Sequence, residues 1–217
     1  MQFGKAFSFV FEDPDWFKKL AIMGLITLIP ILGQIVLCGW MLDIIKKLIR
    51  HETVTLPDLD FGGQLSRGFS AFVVGIVYAI PIIVLVIIQS IITGAVSGGY
   101  AADGSGSADT VVMVVSLCFG ILNFLLSIVL YFIYPIAYGR LADTGKISDA
   151  LKFGEVFGLI KKAPGAIFIA VLGALLASLI APLGAIACVI GILLTVVYAS
   201  AITGHLFGQA YNVATGN

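Results

Sequence analysis

Apolar runs far longer than a water-soluble helix needs alternate along this chain with short polar connections. Four stretches carry no formal charge, 20–42, 68–102, 110–139 and 163–204, and they are joined by 43–67, 103–109 and 140–162. The last stretch holds about 42 residues, which as one helix would extend roughly 63 Å, twice the ~30 Å hydrocarbon core of a bilayer. It is broken at Ala181-Pro182-Leu183-Gly184, where a proline lacks the helical N–H and a glycine accepts a turn, so two helices joined by a tight turn are predicted there. The two middle stretches predict a second helical hairpin around the Gly/Ser-rich loop 97–109. The pattern is that of an all-α, polytopic transmembrane helix bundle.

The first stretch has two readings. It either crosses once, or forms a helix starting near Pro14 that turns at Pro30-Ile31-Leu32-Gly33 and returns to Ile49, with lysines at both ends snorkelling to one interface. Internal similarity favours the hairpin. Phe3-Gly4-Lys5-Ala6-Phe7 is echoed about 150 residues later by Phe153-Gly154-Glu155-Val156-Phe157, and Leu28-Ile29-Pro30-Ile31-Leu32-Gly33 by Leu179-Ile180-Ala181-Pro182-Leu183-Gly184. Two motifs in the same order at similar spacing predict an internal repeat of an amphipathic segment followed by a helical hairpin. Six spans result, with five as the alternative.

This places the whole chain, 1–217, in a single transmembrane domain. It comprises an interfacial helix and first hairpin (1–50), a connection (51–67), a central hairpin (68–139), an amphipathic segment (140–162) and a last hairpin with tail (163–217). Phe3, Phe7, Val10 and Phe11 fall at helical spacing, as do Leu151, Val156, Phe157 and Ile160, so both amphipathic segments are expected in the headgroup plane. Asp58 and Asp60 are placed to cap the short helix leading to Arg67.

Charge sets the orientation. The first connection carries Lys46, Lys47, Arg50 and Arg67, and the third Arg140, Lys146, Lys152, Lys161 and Lys162, whereas 97–109 has no basic residue. The positive-inside rule puts the basic connections and both termini in the cytoplasm and 97–109 outside. Composition agrees: 60% of residues are hydrophobic, 11% are charged and mean hydropathy is +1.12, too little polar surface for a domain in water. Net charge is +0, and no basic tract interleaved with aromatics suggests nucleic-acid binding. Cys38, Cys118 and Cys188 each stand alone in apolar runs and read as small hydrophobes. The N-terminal run follows Glu12, Asp13 and Asp15 and lacks a small-x-small cleavage site, so it is expected to be retained.

Leu56-Pro57-x-Leu59-Asp60, running into Gly68-Phe69-Ser70-Ala71-Phe72 and then Tyr78 and Pro81, resembles the prokaryotic membrane family catalogued as domain of unknown function 4013. The N-terminal Phe-rich segment, the Leu-Ile-Pro-Ile-Leu-Gly turn and the ending Gly204-His205-Leu206-Phe207-Gly208-Gln209-Ala210-Tyr211 are similar to it too. The resemblance implies a multi-span membrane protein, and the expected location is the cytoplasmic (inner) membrane of a prokaryote. It carries no established activity, so no catalytic residue transfers.

The chemical candidates are the polar residues inside apolar runs, where their burial is costly. Gln34, beside the first turn, is expected to bond backbone carbonyls freed there. Gln89 with Ser90, and Asn123 with Ser127, are expected to hydrogen-bond between helices, with a solute path lined by Gln89 and Asn123 as the alternative. His205 reads as a snorkelling residue at the end of the last span, and Asp43 as an i, i+4 partner of Lys47. Ala170, Ala174 and Ser178, and the Gly204/Gly208 pair, are expected packing faces. No P-loop, Gly-x-Ser-x-Gly elbow or HExxH occurs, and catalytic, metal and cofactor sites are all expected to be absent. The expected role is a scaffold or accessory subunit of a membrane complex, with the bilayer, other membrane subunits or itself as partners. The alternative is a small transporter, channel or lipid-handling protein.

Overall fold

The structure is a computed structural model that describes residues 1–53, 55–100 and 107–217, excepting the side chains of 99, 100, 107, 108 and 187–190. Among the described residues every regular element is helical: α1 (Phe3–Ser8), a 3₁₀ turn (Phe9–Glu12), α2 (Trp16–Thr27), α3 (Leu32–Ile49), α4 (Phe61–Tyr100), α5 (Ser107–Thr144), α6 (Ile147–Ala150), α7 (Phe153–Lys162), α8 (Pro164–Leu183), a second 3₁₀ turn (Gly184–Ala187) and α9 (Cys188–Thr215). Four of them, α4, α5, α8 and α9, are long and apolar enough to cross a bilayer. The 12 residues of α2 extend only about 18 Å, and α3 carries Asp43, Lys46 and Lys47 in its second half.

The chain divides into two compact units, Met1–Gly75 with Phe132–Asn217, and Ile76–Tyr131. The core of the first is built from Phe9, Val10, Leu20, Met23, Val36, Trp40, Ile44, Leu56, Val197 and Ala201. Close helix approach depends on missing side chains. A Cβ on Gly39 of α3 would run into the carbonyl of Gln64, and one on Gly68 of α4 into that of Ile35, so α3 and α4 cross backbone to backbone. Gly204 and Gly208 of α9 face Met41, Ile44, Ile45 and Leu48 of α3, which assigns the expected packing pair a partner inside the fold. The stripe expected on α8 is corrected: Ala170 and Ala174 are buried, but with Gly173 and Ala177, while Ser178 is exposed and bonds its own helix.

Both broken turns form, with shifts. The first lies at 28–31, where Gly33 N donates to Ile29 O (2.9 Å) and Ile31 takes φ 64°, a left-handed conformation strained for a β-branched residue. The second does not occupy Ala181–Gly184. Pro182 stays inside the last turn of α8, and the chain turns at Gly184–Ala187. The helix continues past Pro182 because its end is still satisfied: Ala181 O accepts from Gly184 N, and Thr195 Oγ1 of the next helix lies 2.7 Å from the same carbonyl. Nothing so short leads to Arg67 as was expected, because α4 is continuous from Phe61 through Pro81 to Tyr100.

The N-terminal segment is corrected too. Helix gives way to the 3₁₀ turn after Ser8, and this turns Phe9 and Val10 inward with Ala6, all three wholly buried, leaving Phe11 outside. The segment is fastened by Tyr198 Oη donating to Phe7 O at 2.7 Å. It is therefore part of the core and not only a surface helix.

In the second unit, α4 and α5 present apolar side chains to their surroundings. Ile83, Val86, Ile87, Ile91, Val114, Leu117, Ile121 and Phe124 are exposed. The most apolar stretch of α5 has 0% of its residues buried, against 50% in α9. The loop expected at 97–109 is shorter at both ends, since 97–100 continue α4 and 107–109 open α5, while 101–106 lie outside the described residues.

Candidate functional site

The densest polar chemistry lies where the segment after α3 turns back along that helix. Residues 55–58 form no helix or sheet there, so their backbone groups need other partners. Side chains supply them. Asp13 Oδ2 accepts from Leu56 N (3.0 Å), Lys19 Nζ donates to Leu56 O (2.9 Å), Trp40 Nε1 donates to Pro57 O (2.9 Å), and Lys47 Nζ donates to Thr55 O (3.0 Å). Leu56 itself is wholly buried.

Asp13 and Lys19 are joined at 2.9 Å, and Asp58 Oδ1 lies 3.2 Å from the same ammonium. Burial works against ionising Asp13. The Lys19 ammonium and the N–H groups of Asp15 and Leu56 outweigh it and hold the carboxyl below the usual carboxylate range. Lys19 has three protons and three acceptors, Asp13, Leu56 O and Asp58. Such an ammonium is neither a free base nor a nucleophile, and it acts as a clamp. It does not snorkel as the sequence suggested, because carboxylates and a carbonyl surround it. Beside the clamp is a cavity of about 210 Å³ lined by Lys18, Lys19, Met23, Trp40, Pro57 and Asp58 among others.

A second network ties α3 to α4. Arg67 approaches both oxygens of Asp43, Nε–Oδ1 at 2.8 Å and Nη2–Oδ2 at 3.0 Å, and also donates to Asp60 Oδ2 at 3.2 Å. The expected Asp43–Lys47 pair is thus not formed: the planar guanidinium takes the carboxylate, and Lys47 holds Thr55. Asp60 caps α4 by accepting from Gly63 N at 3.1 Å, and this bond with Arg67 lowers its pKa. Asp58 is given to Lys19 instead of the cap.

His205 is buried, not snorkelling. Its ring stacks on Phe9 at 4.5 Å, and Nδ1 lies 2.9 Å from Gln209 Nε2. Gln209 also receives Gln2 N on Oε1 (2.7 Å) and donates to Gln2 O (3.2 Å). The backbone of Gln2 thereby fixes which end of the amide is the donor, so Nδ1 of His205 must accept and the imidazole carries its proton on Nε2. Tyr211 Oη donates to Asp143 Oδ2 (2.9 Å) and Asn212 Nδ2 to Leu48 O (2.9 Å), adding further ties from α9.

The other candidates are dispersed. Gln34 is exposed and makes no hydrogen bond among the described residues, unlike the expected turn amide. Ser90 and Ser127 bond back to Val86 O and Asn123 O, both at 2.8 Å, within their own helices instead of across to another. Gln89 is half-buried, and Asn123 Oδ1 is buried without a partner. Within the first unit no hydrogen bond joins Gln34 to His205 among the described residues. Cys38 is half-buried and Cys118 exposed, while the side chain of Cys188 lies outside the described residues. No group of three metal-ligating side chains occurs among the described residues.

A family model, Protein of unknown function (DUF4013), matches residues 22–210. The chain belongs to this family. The DUF4013 match opens inside α2 and closes inside α9, so it includes Trp40, Asp43, Leu56, Asp58, Arg67 and His205. Asp13 and Lys19, which complete the clamp, precede it, as does the Phe-rich N-terminal segment. No curated protein and no solved structure matches the chain.

Sequence reading missed Asp13, Lys19, Trp40 and Leu56 as one group. A usable signal was present: a lone tryptophan in the aliphatic helix α3 needs an acceptor for its N–H when buried.

Proposed function

We propose that the chain is a multi-pass protein of a prokaryotic cytoplasmic membrane, acting as a scaffold or accessory subunit of a membrane complex and not as an enzyme. The observation that carries this reading is the Ile76–Tyr131 hairpin, whose apolar side chains stand exposed while Gly94, Gly98 and Gly120 have nothing within 4 Å of a would-be Cβ. Lipid is the medium in which such a surface is stable, and bare glycines suit the close approach of a neighbouring helix. The ion pairs of the first unit, Asp13–Lys19, Asp43–Arg67 and Arg140–Glu155, serve to fasten segments, which favours a structural role for these groups over chemistry on a substrate.

Topologically the reading is six membrane-entering helices in hairpins, with both termini cytoplasmic. The α2–α3 hairpin is the shallow one, given the short α2. An internal repeat is supported by the start of α1 at Phe3 and of α7 at Phe153, each opening the same Phe-Gly-x-x-Phe motif and each followed by a helix pair. Affinity purification from native membranes is expected to return the chain with stoichiometric membrane partners, and photo-crosslinkers at Gly94 and Gly120 should label them. Purification as a free protein, with crosslinks to lipid alone, would sink the subunit role. A cysteine placed at Ser105 should react with an impermeant reagent from outside and one at Lys146 should not.

The second reading, a solute path through the hairpin, draws on the unpaired, buried Asn123 Oδ1. Liposome flux that Asn123→Ala and Gln89→Ala leave unchanged would count against it.

A further inference from the structure

Helix α7, Phe153–Lys162, is anchored through Val156, which is wholly buried, and leads within two residues into α8, whose first residue is Pro164. Its flank is otherwise open: Phe157 is 43% and Phe153 49% exposed. Around them the acidic side chains are already consumed. Glu155 pairs with Arg140 and with Lys152 (3.7 Å), and Lys152 pairs with Asp149 at 2.9 Å. Lys161 and Lys162, in the last turn, are exposed and have no ion pair among the described residues. Internal pairing therefore offsets the acidic side chains of this segment and leaves exposed Phe157, Lys161 one turn further along the same side, and Lys162 beside Lys161 just before the start of α8, the two ammoniums without ion pairs among the described residues. This rests on the reading above that 140–162 lies on the cytoplasmic face of a bilayer.

We propose that this surface docks on anionic phospholipids of the cytoplasmic leaflet, with Phe157 seated at the acyl boundary and Lys161 and Lys162 on lipid phosphates. Charge complementarity selects that occupant. A neutral leaflet would satisfy the ring but not the lysines, and an acidic leaflet satisfies both. Glu155, held by Arg140 and Lys152, does not oppose the approach.

The test uses the full chain reconstituted in vesicles of phosphatidylcholine with and without phosphatidylglycerol, followed by detergent extraction and counting of retained lipids by native mass spectrometry. Phosphatidylglycerol should be retained preferentially, and Lys161→Gln with Lys162→Gln should weaken that preference on the order of tenfold or more. Glu155→Gln should not weaken it. If the double variant does not fold, raising salt on the unaltered chain is the substitute, because screening should reduce the preference. Equal retention of both lipids, or a preference indifferent to the lysines and to salt, overturns the proposal. Resistance to alkaline extraction is measured on the same vesicles: its loss would fail the membrane reading itself, whereas retained insertion without lipid preference fails only the docking surface.

Discussion

Among the described residues only the first unit sets glycines against the backbone or side chains of another segment. In the first, Gly39 and Gly68 let two backbones cross, Asp13 and Lys19 close on the backbone of Leu56, and Arg67 straddles Asp43 and Asp60. In the second, Gly94, Gly98 and Gly120 face open space, and Ser90 and Ser127 bond only to their own helices. The same residue types give a locked core in one place and an uncommitted apolar surface in the other. The difference shows that composition alone does not mark a packing glycine; what stands opposite it does.

The sharpest way to break this comparison is to add one methyl group in each unit. Gly39→Ala would press Cβ into the Gln64 carbonyl, which a backbone cannot cheaply evade, and a loss of at least about 3 kcal/mol or failure to accumulate is expected. Gly94→Ala meets nothing within 4 Å and should be neutral or stabilise the helix by up to ~1 kcal/mol. Thermal unfolding in detergent, read by circular dichroism and size-exclusion profiles, compares the two. Equal effects would erase the distinction between the units.

A smaller effect is expected at the clamp. Asp13→Asn leaves Lys19 largely buried with less compensation, and a cost of about 2–3 kcal/mol follows. The pH dependence has a definite sign. Because the folded Asp13 carboxyl titrates below its ordinary 3.8, its contribution is fully present above that value and is lost as pH falls through the folded pKa. The melting temperature of the unaltered chain should therefore drop more steeply below about pH 4 than that of Asp13→Asn. Parallel curves would show that the carboxylate does not fasten the segment.

The smallest effects concern single hydroxyls and amides. Thr195→Val removes the bond to Ala181 O at the end of α8 and should cost about 1 kcal/mol. Asn123→Leu replaces an unpaired amide in an apolar surface and should cost nothing or stabilise slightly. A marked loss from Asn123→Leu would mean that this amide has a partner in the membrane, and it would draw the second unit closer to the first.

Much of the architecture was legible because it depends on local pattern. Charge-free runs, the Pro30 interruption and the Gly204/Gly208 spacing each found a counterpart in helices, a turn and a packed face, whereas the turn expected at Pro182 came just after it, at Gly184–Ala187. Errors arose where a residue had several partners of similar chemistry within reach. Asp43 has Lys47 one turn away and Arg67 on another helix, and spacing favours the first while guanidinium geometry favours the second. His205 looked interfacial by its place in the chain, but Phe9 covers it, and Phe9 turns inward only because α1 ends at Ser8.

Sequence by itself determined that this protein is helical, that its long helices need an apolar medium, and near which residues the first and last hairpins turn, because hydrogen-bond satisfaction and hydropathy act over neighbouring residues. Membership of the DUF4013 family was likewise visible in the order of short motifs. Tertiary structure alone decided which glycines are contacts and which are bare, which carboxylate belongs to which cation, and that Leu56 is held by Asp13 and Lys19. Those choices join residues dozens of positions apart, and their energies depend on distance and burial that no local pattern contains.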